Sequence, residues 1–250
     1  MTPTKSSSQL LLAMESASRT ASAALLHGET LLGTRTSTDG QHHAESLLPQ
    51  VVSLLDEAAA TPADIDAFAV GIGPGAFTSI RIGVATIKGL AFGSDRPIAP
   101  VSTLAAIAQT AFAENPGIAQ IVAVLDARRG EVYTAEFGRG SGNPGFELVR
   151  AQGLGSAATI AATAGRGAGI AGELPPRFGE LLAEADREDL ELLPASRLPR
   201  ALAVASLGRA ALVAGETTLA SQLTPQYLRR PEAEETRLAV ESAPQDGPSS

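Results

Sequence analysis

The chain has 250 residues, 44% of them apolar and only 4% aromatic, enough for a sizeable alanine-rich core in one large domain or two smaller lobes. It has no cysteine, which excludes disulfides and thiolate metal sites. A net charge of −8 with no long Lys/Arg run argues against holding RNA unaided, since phosphate contacts supply most of such affinity. No apolar stretch is long enough to cross a bilayer. The polar start and the early Glu15 and Arg19 do not fit a secretory leader, so a cytoplasmic protein is expected.

In chain order, residues 1–8 read as a disordered start, and Gln9 to Met14 as a first strand. After a turn at Ser16 to Thr20, Ala21 to Leu26 and Leu31 to Ser37 continue as a meander around His27-Gly28-Glu29. From His42 to Ala58, Leu47, Leu48, Val51, Leu54, Leu55 and Ala58 recur at three- and four-residue steps, the mark of an amphipathic helix. Pro49 belongs near its first turn, which predicts a start around Glu45 or Ser46. Ile65 to Ile72 reads as a buried strand, Ser79 to Gly93 as a helix, Pro97 to Val101 as a short strand, and Leu104 to Ala113 as a helix capped by Ser102-Thr103.

The pattern then begins again. Ile118 to Asp126 and Glu131 to Phe137 read as strands joined at Arg128-Arg129-Gly130, with a third strand at Phe146 to Ala151 beyond a glycine-rich loop. A short helix (Ser156 to Ala164), a short strand (Gly169 to Ala171) and further helices at Phe178 to Ala185 and Ala201 to Ala214 follow. The Glu-, Pro- and Ser-rich end, 231–250, reads as a disordered tail. The organisation expected is a lobe over 9–104 and an abbreviated one over 105–230, with the 201–214 helix free to pack back on the first lobe.

Four constellations stand out. Gly73-Pro74-Gly75, with Phe77, Thr78 and Arg81 behind it, makes a sharp strand-to-helix turn. It is either an anion site at a helix N-terminus, capped by Thr78 or Ser79, or a tight corner. It lacks the lysine of a Walker-type phosphate loop. Glu15, Ser16 and Ser18 in the first turn could form a degenerate nucleotide loop or a plain turn; the scarcity of glycine there hinders backbone approach to a phosphate. His42 and His43 point about 100° apart on a helix and do not make a shared metal site, so no metal is expected. Ala85, Gly89 and Gly93 line one helix side with small residues, flanked by Ile82, Thr86 and Phe92; the stripe either packs internally or admits a partner helix. Asp126-Ala-Arg-Arg-Gly-Glu131 is either a nucleotide-handling turn or a hairpin whose arginines meet a partner or RNA.

The block Gly73-Pro-Gly-Ala-Phe-Thr-Ser-Ile-Arg-Ile-Gly83 closely resembles the signature of the bacterial TsaB (YeaZ) family, with Ala76, Ser79 and Ile80 as departures. Leu11 to Ser16, His43-Ala-Glu45 with Leu47-Leu-Pro49, Asp126 to Tyr133 and Pro225-Gln-Tyr-Leu-Arg229 match its other blocks in order, so the resemblance spans about 9 to 230. Glu15 stands where the family has Asp. The resemblance implies an α/β, two-lobed actin-like (ribonuclease H-like) fold with an abbreviated second lobe. It implies a non-catalytic scaffold in the complex that makes threonylcarbamoyladenosine beside the tRNA anticodon. TsaD would be the catalytic subunit, TsaE an ATPase, and tRNA would be met only through the complex. ATP and metal would belong to those partners, with no cofactor on this chain alone. It further implies that Leu47, Leu48, Val51, Leu54, Leu55, Ile82, Ala85, Thr86, Gly89 and Gly93 form a two-helix surface for TsaD or for a second copy. TsaD-type relatives bind metal through His-x-x-x-His on the matching helix; Ser46 and Leu47 stand where a second histidine would be needed. The alternative is a small nucleotide-dependent kinase or ATPase of the same superfold, using Glu15 and the Gly73–Gly75 turn.

Overall fold

A computed structural model describes residues 9–37, 43–142, 144–196 and 200–229. The expectations for 1–8, for 231–250 and for the His42 and His43 side chains lie outside the described residues. Among the described residues, ten strands form two five-stranded sheets. The first holds β1 (Leu10–Glu15), β2 (Ser22–His27), β3 (Thr30–Thr36), β4 (Ala67–Gly73) and β5 (Ile98–Ser102) in the order β3-β2-β1-β4-β5. The second holds β6 (Gln120–Arg128), β7 (Glu131–Arg139), β8 (Phe146–Gly155), β9 (Gly169–Glu173) and β10 (Glu191–Leu192) in the order β8-β7-β6-β9-β10. In each, three antiparallel strands are followed by two parallel ones. The second sheet is thus the first repeated in topology, the ribonuclease H-like duplication expected. Its abbreviation is one of length. The helices α4 (Ala157–Thr163) and α5 (Phe178–Glu184) have seven residues each, against fifteen and fourteen for α1 (His43–Glu57) and α2 (Phe77–Leu90).

Strand alternation decides what each face of the first sheet meets. Leu10, Leu12 and Met14 of β1 point into a core closed by Leu47, Val51, Leu54 and Leu55 of α1 and by Ile80, Val84 and Ile87 of α2. Leu11 and Ala13 point the other way, with Ala67, Ala69 and Ala99, toward Ala201, Ala203, Val204 and Ala205 of α6 (Arg200–Ala214). That second face is nearly all alanine, so α6 comes close: a Cβ on Gly208 would fall 2.4 Å from the Ala69 Cβ. Leu104, Ile107, Ala108 and Phe112 of α3 (Thr103–Glu114) pack on the second sheet against Ile121, Ala123, Leu125 and Phe137, while Ala106 meets the α6 core. The sheets are therefore joined at their base by α3 going out and α6 coming back. A cavity of about 330 Å³ lies between them, bordered by Thr36, Thr110, Glu173 and Arg200.

Two local expectations change. α1 runs from His43, so Pro49 lies in its second turn. Pro49 is exposed there, where solvent can satisfy the carbonyl that a missing N–H leaves open. α2 begins at Phe77 with Ala76 as its cap residue and no side-chain cap, so Thr78 and Ser79 are first-turn residues and not caps.

The last described residues, 215–229, form a strap that follows α6. Thr218 bridges to Ile98 on the edge of the first sheet. Leu223 enters the core beneath α2, and its carbonyl accepts from Lys88 Nζ at 3.1 Å. Gln226 N–H donates to the Ile72 carbonyl at 2.7 Å. Arg229 reaches the second sheet, donating to the Ala127 carbonyl at 2.8 Å and pairing with Glu131.

Candidate functional site

The Gly73–Gly75 turn is a packed corner. Gly73 has φ of +117°, and a Cβ there would lie 2.5 Å from the Gln226 carbonyl oxygen. A Cβ on Gly75, at φ +158°, would lie 2.5 Å from the Ala17 carbonyl oxygen, which accepts the Ala76 N–H at 3.0 Å. Glycine is thus required twice, for backbone angle and for close approach of two other backbones. Phe77, one residue past the cap, stacks on Tyr227 with centroids 4.7 Å apart. The Arg81 guanidinium covers the Phe77 ring at 3.9 Å, and its Nε donates to Tyr227 Oη at 2.9 Å. The signature residues Gly73, Gly75, Phe77 and Arg81 are accounted for by the two segments they grip, Ala17 on one side and Gln226–Tyr227 on the other. Of the two readings of this turn, the geometry is that of the corner.

The first loop fills the other side of that corner. Glu15, Ser16 and Ser18, read from the sequence as either a degenerate nucleotide loop or a plain turn, are all buried. Ser16 Oγ donates to the Ser79 carbonyl at 2.8 Å and sits where Gly83 has no side chain. Ser18 Oγ donates to Thr20 O at 3.3 Å. Glu15 Oε1 accepts the Ala17 N–H at 2.6 Å, and its other oxygen lies over Gly71, where a Cβ would come within 2.1 Å. Burial pushes the Glu15 carboxyl up from its ordinary value; the Ala17 N–H, the charge of Arg200, the Ser16 N–H and the nearby Thr103 hydroxyl pull it partway back. Thr103 Oγ1 and Glu15 Oε2 are close without meeting in hydrogen-bond geometry, and both are left without a partner. Arg200 in turn pairs with Glu173 of the second sheet at 3.1 Å, so its guanidinium stands between carboxylates of the two sheets. Among the described residues no cluster of three or more His, Asp or Glu could hold a metal ion.

The predicted two-helix surface divides in two. Leu47, Val51, Leu54 and Leu55 are 1–3% exposed and belong to the core of this chain. The periodicity identifies a buried face, and what buries it is the chain's own first sheet. The exposed large apolar residues of α1 are Leu48 at 50% and Val52 at 48%. On α2, Ala85 and Gly89 face solvent, as does Gly93 just past its end, while Ile82 and Thr86 are half-buried at the margin. No atom lies within 4 Å of where a Cβ would sit on Gly89 or Gly93. Phe92, between Gly89 and Gly93 in the chain, is 88% exposed. α1 and α2 contact each other, so the molecule presents two adjacent helices with a small-residue stripe and a ring at its end. The strap carries no sequence signal beyond the Pro225 to Arg229 block, and its partners lie far away in sequence.

With this geometry in hand, comparison with known proteins is informative. Residues 30–143 match a family model described as TsaD, tRNA N6-adenosine threonylcarbamoyltransferase. The chain is 39% identical over 129 residues to the tRNA threonylcarbamoyladenosine biosynthesis protein TsaB of Escherichia coli, an alignment covering 52% of this chain and 55% of that protein. It spans about half the length of the curated TsaB relatives it matches there and in Haemophilus influenzae. Over 225 residues it is 33% identical to an uncharacterized protein of Mycobacterium tuberculosis, covering 89% of this chain and 93% of that one. The solved structure of YeaZ from Pseudomonas aeruginosa superimposes with a TM-score of 0.71 at 32% identity, covering 88% of this chain and all of that one. A shared fold and about one-third identity over nearly the whole length place this chain in the TsaB (YeaZ) family.

Proposed function

We propose that the chain is a subunit, without catalytic chemistry of its own, of the assembly that builds threonylcarbamoyladenosine in tRNA, and that it docks and activates TsaD through the outward side of α2. The observation that carries this reading is the open stripe of Ala85, Gly89 and Gly93, ending in an 88% exposed Phe92 and continued on α1 by Leu48 and Val52. A small-residue stripe lets a partner helix approach closely, and an exposed ring beside it offers the apolar anchor that partner interfaces favour. TsaD supplies the metal and the reaction, TsaE an ATPase, and tRNA is met by the assembled complex. A second copy of this chain takes the same face when TsaD is absent. The non-catalytic part is supported by the first loop, where the groups that could have faced a phosphate bond to the chain itself.

Co-purification with TsaD from the same organism tests the docking. Gly89→Leu adds a branched side chain in open space on a helix that tolerates it. It is expected to fold as the parent does and to lose TsaD; undiminished recovery of TsaD would refute the surface. Tight binding of ATP and magnesium by the isolated chain, measured by titration calorimetry, would refute the non-catalytic role.

A further inference from the structure

The hairpin joining β6 to β7 breaks a local rule. Arg128 and Arg129 follow one another at its tip with φ of 65° and 56°, and Gly130 completes the run at 78°. Left-handed backbone disfavours any residue with a Cβ, and tight hairpins ordinarily use Asn-Gly or Asp-Gly there. Two arginines in succession give up stability that asparagine would keep. The rest of the hairpin is arranged to hold them. Asp126 Oδ1 accepts the Arg128 N–H at 2.7 Å. Arg229 of the strap donates to the Ala127 carbonyl and pairs with Glu131. Asp126 and Glu131 thereby help to fix the tip, where Arg128 and Arg129 are exposed. Two residues back along the strap, Tyr227 accepts from the exposed Arg81 near the start of α2. A basic edge of Arg128, Arg129 and Arg81 therefore leads from the hairpin to α2, with Arg229 paired to Glu131 between them, on a chain whose net charge is −8.

We propose that this edge receives the sugar-phosphate backbone of RNA at the rim of the α2 docking face. The proposal rests on the reading under Proposed function, in which tRNA meets the assembled complex. Guanidinium forks match phosphate oxygens in geometry and charge, and backbone strain that is retained and braced marks a place where side-chain position matters. Three arginines are too few to hold RNA alone, so the edge adds to a surface whose larger share belongs to the partner.

The test is Arg128→Asn/Arg129→Asn, which suits the left-handed turn and removes both charges. The complex of this chain with TsaD from the same organism is titrated into a fluorescein-labelled, unmodified tRNA transcript and followed by anisotropy. The variant is expected to bind about tenfold more weakly at roughly 0.1 M salt, with a dependence of log K on log salt shallower by about 2. Its melting temperature should be no lower than the parent's and its recovery of TsaD unchanged, while Arg128→Lys/Arg129→Lys keeps most of the affinity. Unchanged affinity and salt slope in the asparagine variant would overturn the proposal and leave the TsaD reading standing. Loss of TsaD by that variant would also overturn it, by making the tip a protein contact. If the parent chain itself fails to bring TsaD, the functional reading falls and this proposal with it.

Discussion

Gly83 and Ser16 form a pair whose coupling measures how tightly the first loop is locked into α2. Gly83 is a buried interior residue of α2, and a Cβ there would lie 2.3 Å from Ser16 Oγ and 3.3 Å from Ser16 Cβ. Replacing glycine by alanine inside a helix ordinarily gains about 1 kcal/mol. Here the new methyl displaces the Ser16 hydroxyl from the Ser79 carbonyl, a loss of about 1 kcal/mol. Forcing the loop outward adds roughly 1–3 kcal/mol. Gly83→Ala alone should therefore destabilise by about 1–3 kcal/mol, and Ser16→Ala alone by about 1 kcal/mol. With the hydroxyl already gone, the nearest remaining atom is at 3.3 Å. The glycine change made on top of Ser16→Ala should then be neutral or stabilising by up to about 1 kcal/mol. The four proteins, unfolded in urea, should show a coupling of about 1–4 kcal/mol. In thermal unfolding, each kcal/mol moves the midpoint by about 2–4 °C for a chain of this size. Additive effects within about 0.5 kcal/mol would refute the packing argument.

Further outcomes follow from the strap and the buried acid. Tyr227→Ala should destabilise by about 2 kcal/mol, from the lost Phe77 stack and the lost Arg81 hydrogen bond. Tyr227→Phe, which keeps the ring, should cost only about 0.5–1 kcal/mol; equal urea midpoints for the two would show that the stack contributes nothing. Glu15 has a carboxyl raised above the ordinary 4.5 in the folded chain, so the folded state binds its proton more tightly than the unfolded state does. Stability from this group is present below 4.5 and lost as pH rises through the raised value. Glu15→Gln should accordingly gain on the parent as pH climbs from below 4.5 toward neutrality; a difference independent of pH in urea unfolding would contradict this.

Much of the fold could be read from local signals. Alternating or continuous apolar runs gave β1 to β9, and the restart at Ile118 revealed the duplication, because strands and amphipathic helices carry their period in neighbouring residues. The side facing a partner was harder to read. The period of α1 shows that Leu47, Val51, Leu54 and Leu55 share a buried face, but a period carries no information about whether the cover is the same chain or another. The stripe on α2 was legible because small residues at four-residue steps are informative without bulky neighbours, and its exposure came only with the structure. The strap escaped because it has no period at all: Tyr227 meets Arg81 across 146 residues. Likewise, the grip of Gln226 on Gly73 is visible only once both backbones are placed. The two-residue β10 is too short to announce itself.

The route of residues 215–229 has a mechanical consequence. Two-lobed molecules joined only through a pair of base helices can swing like jaws around that pivot. Here a third crossing runs along the outer side, pinned to the first sheet at Ile98 and Ile72 and to the second at Ala127 and Glu131. Opening the jaws would have to shear those anchors, so this segment works as a tie bar. The same segment thereby ties the α2 side of the first sheet to the β6–β7 hairpin of the second.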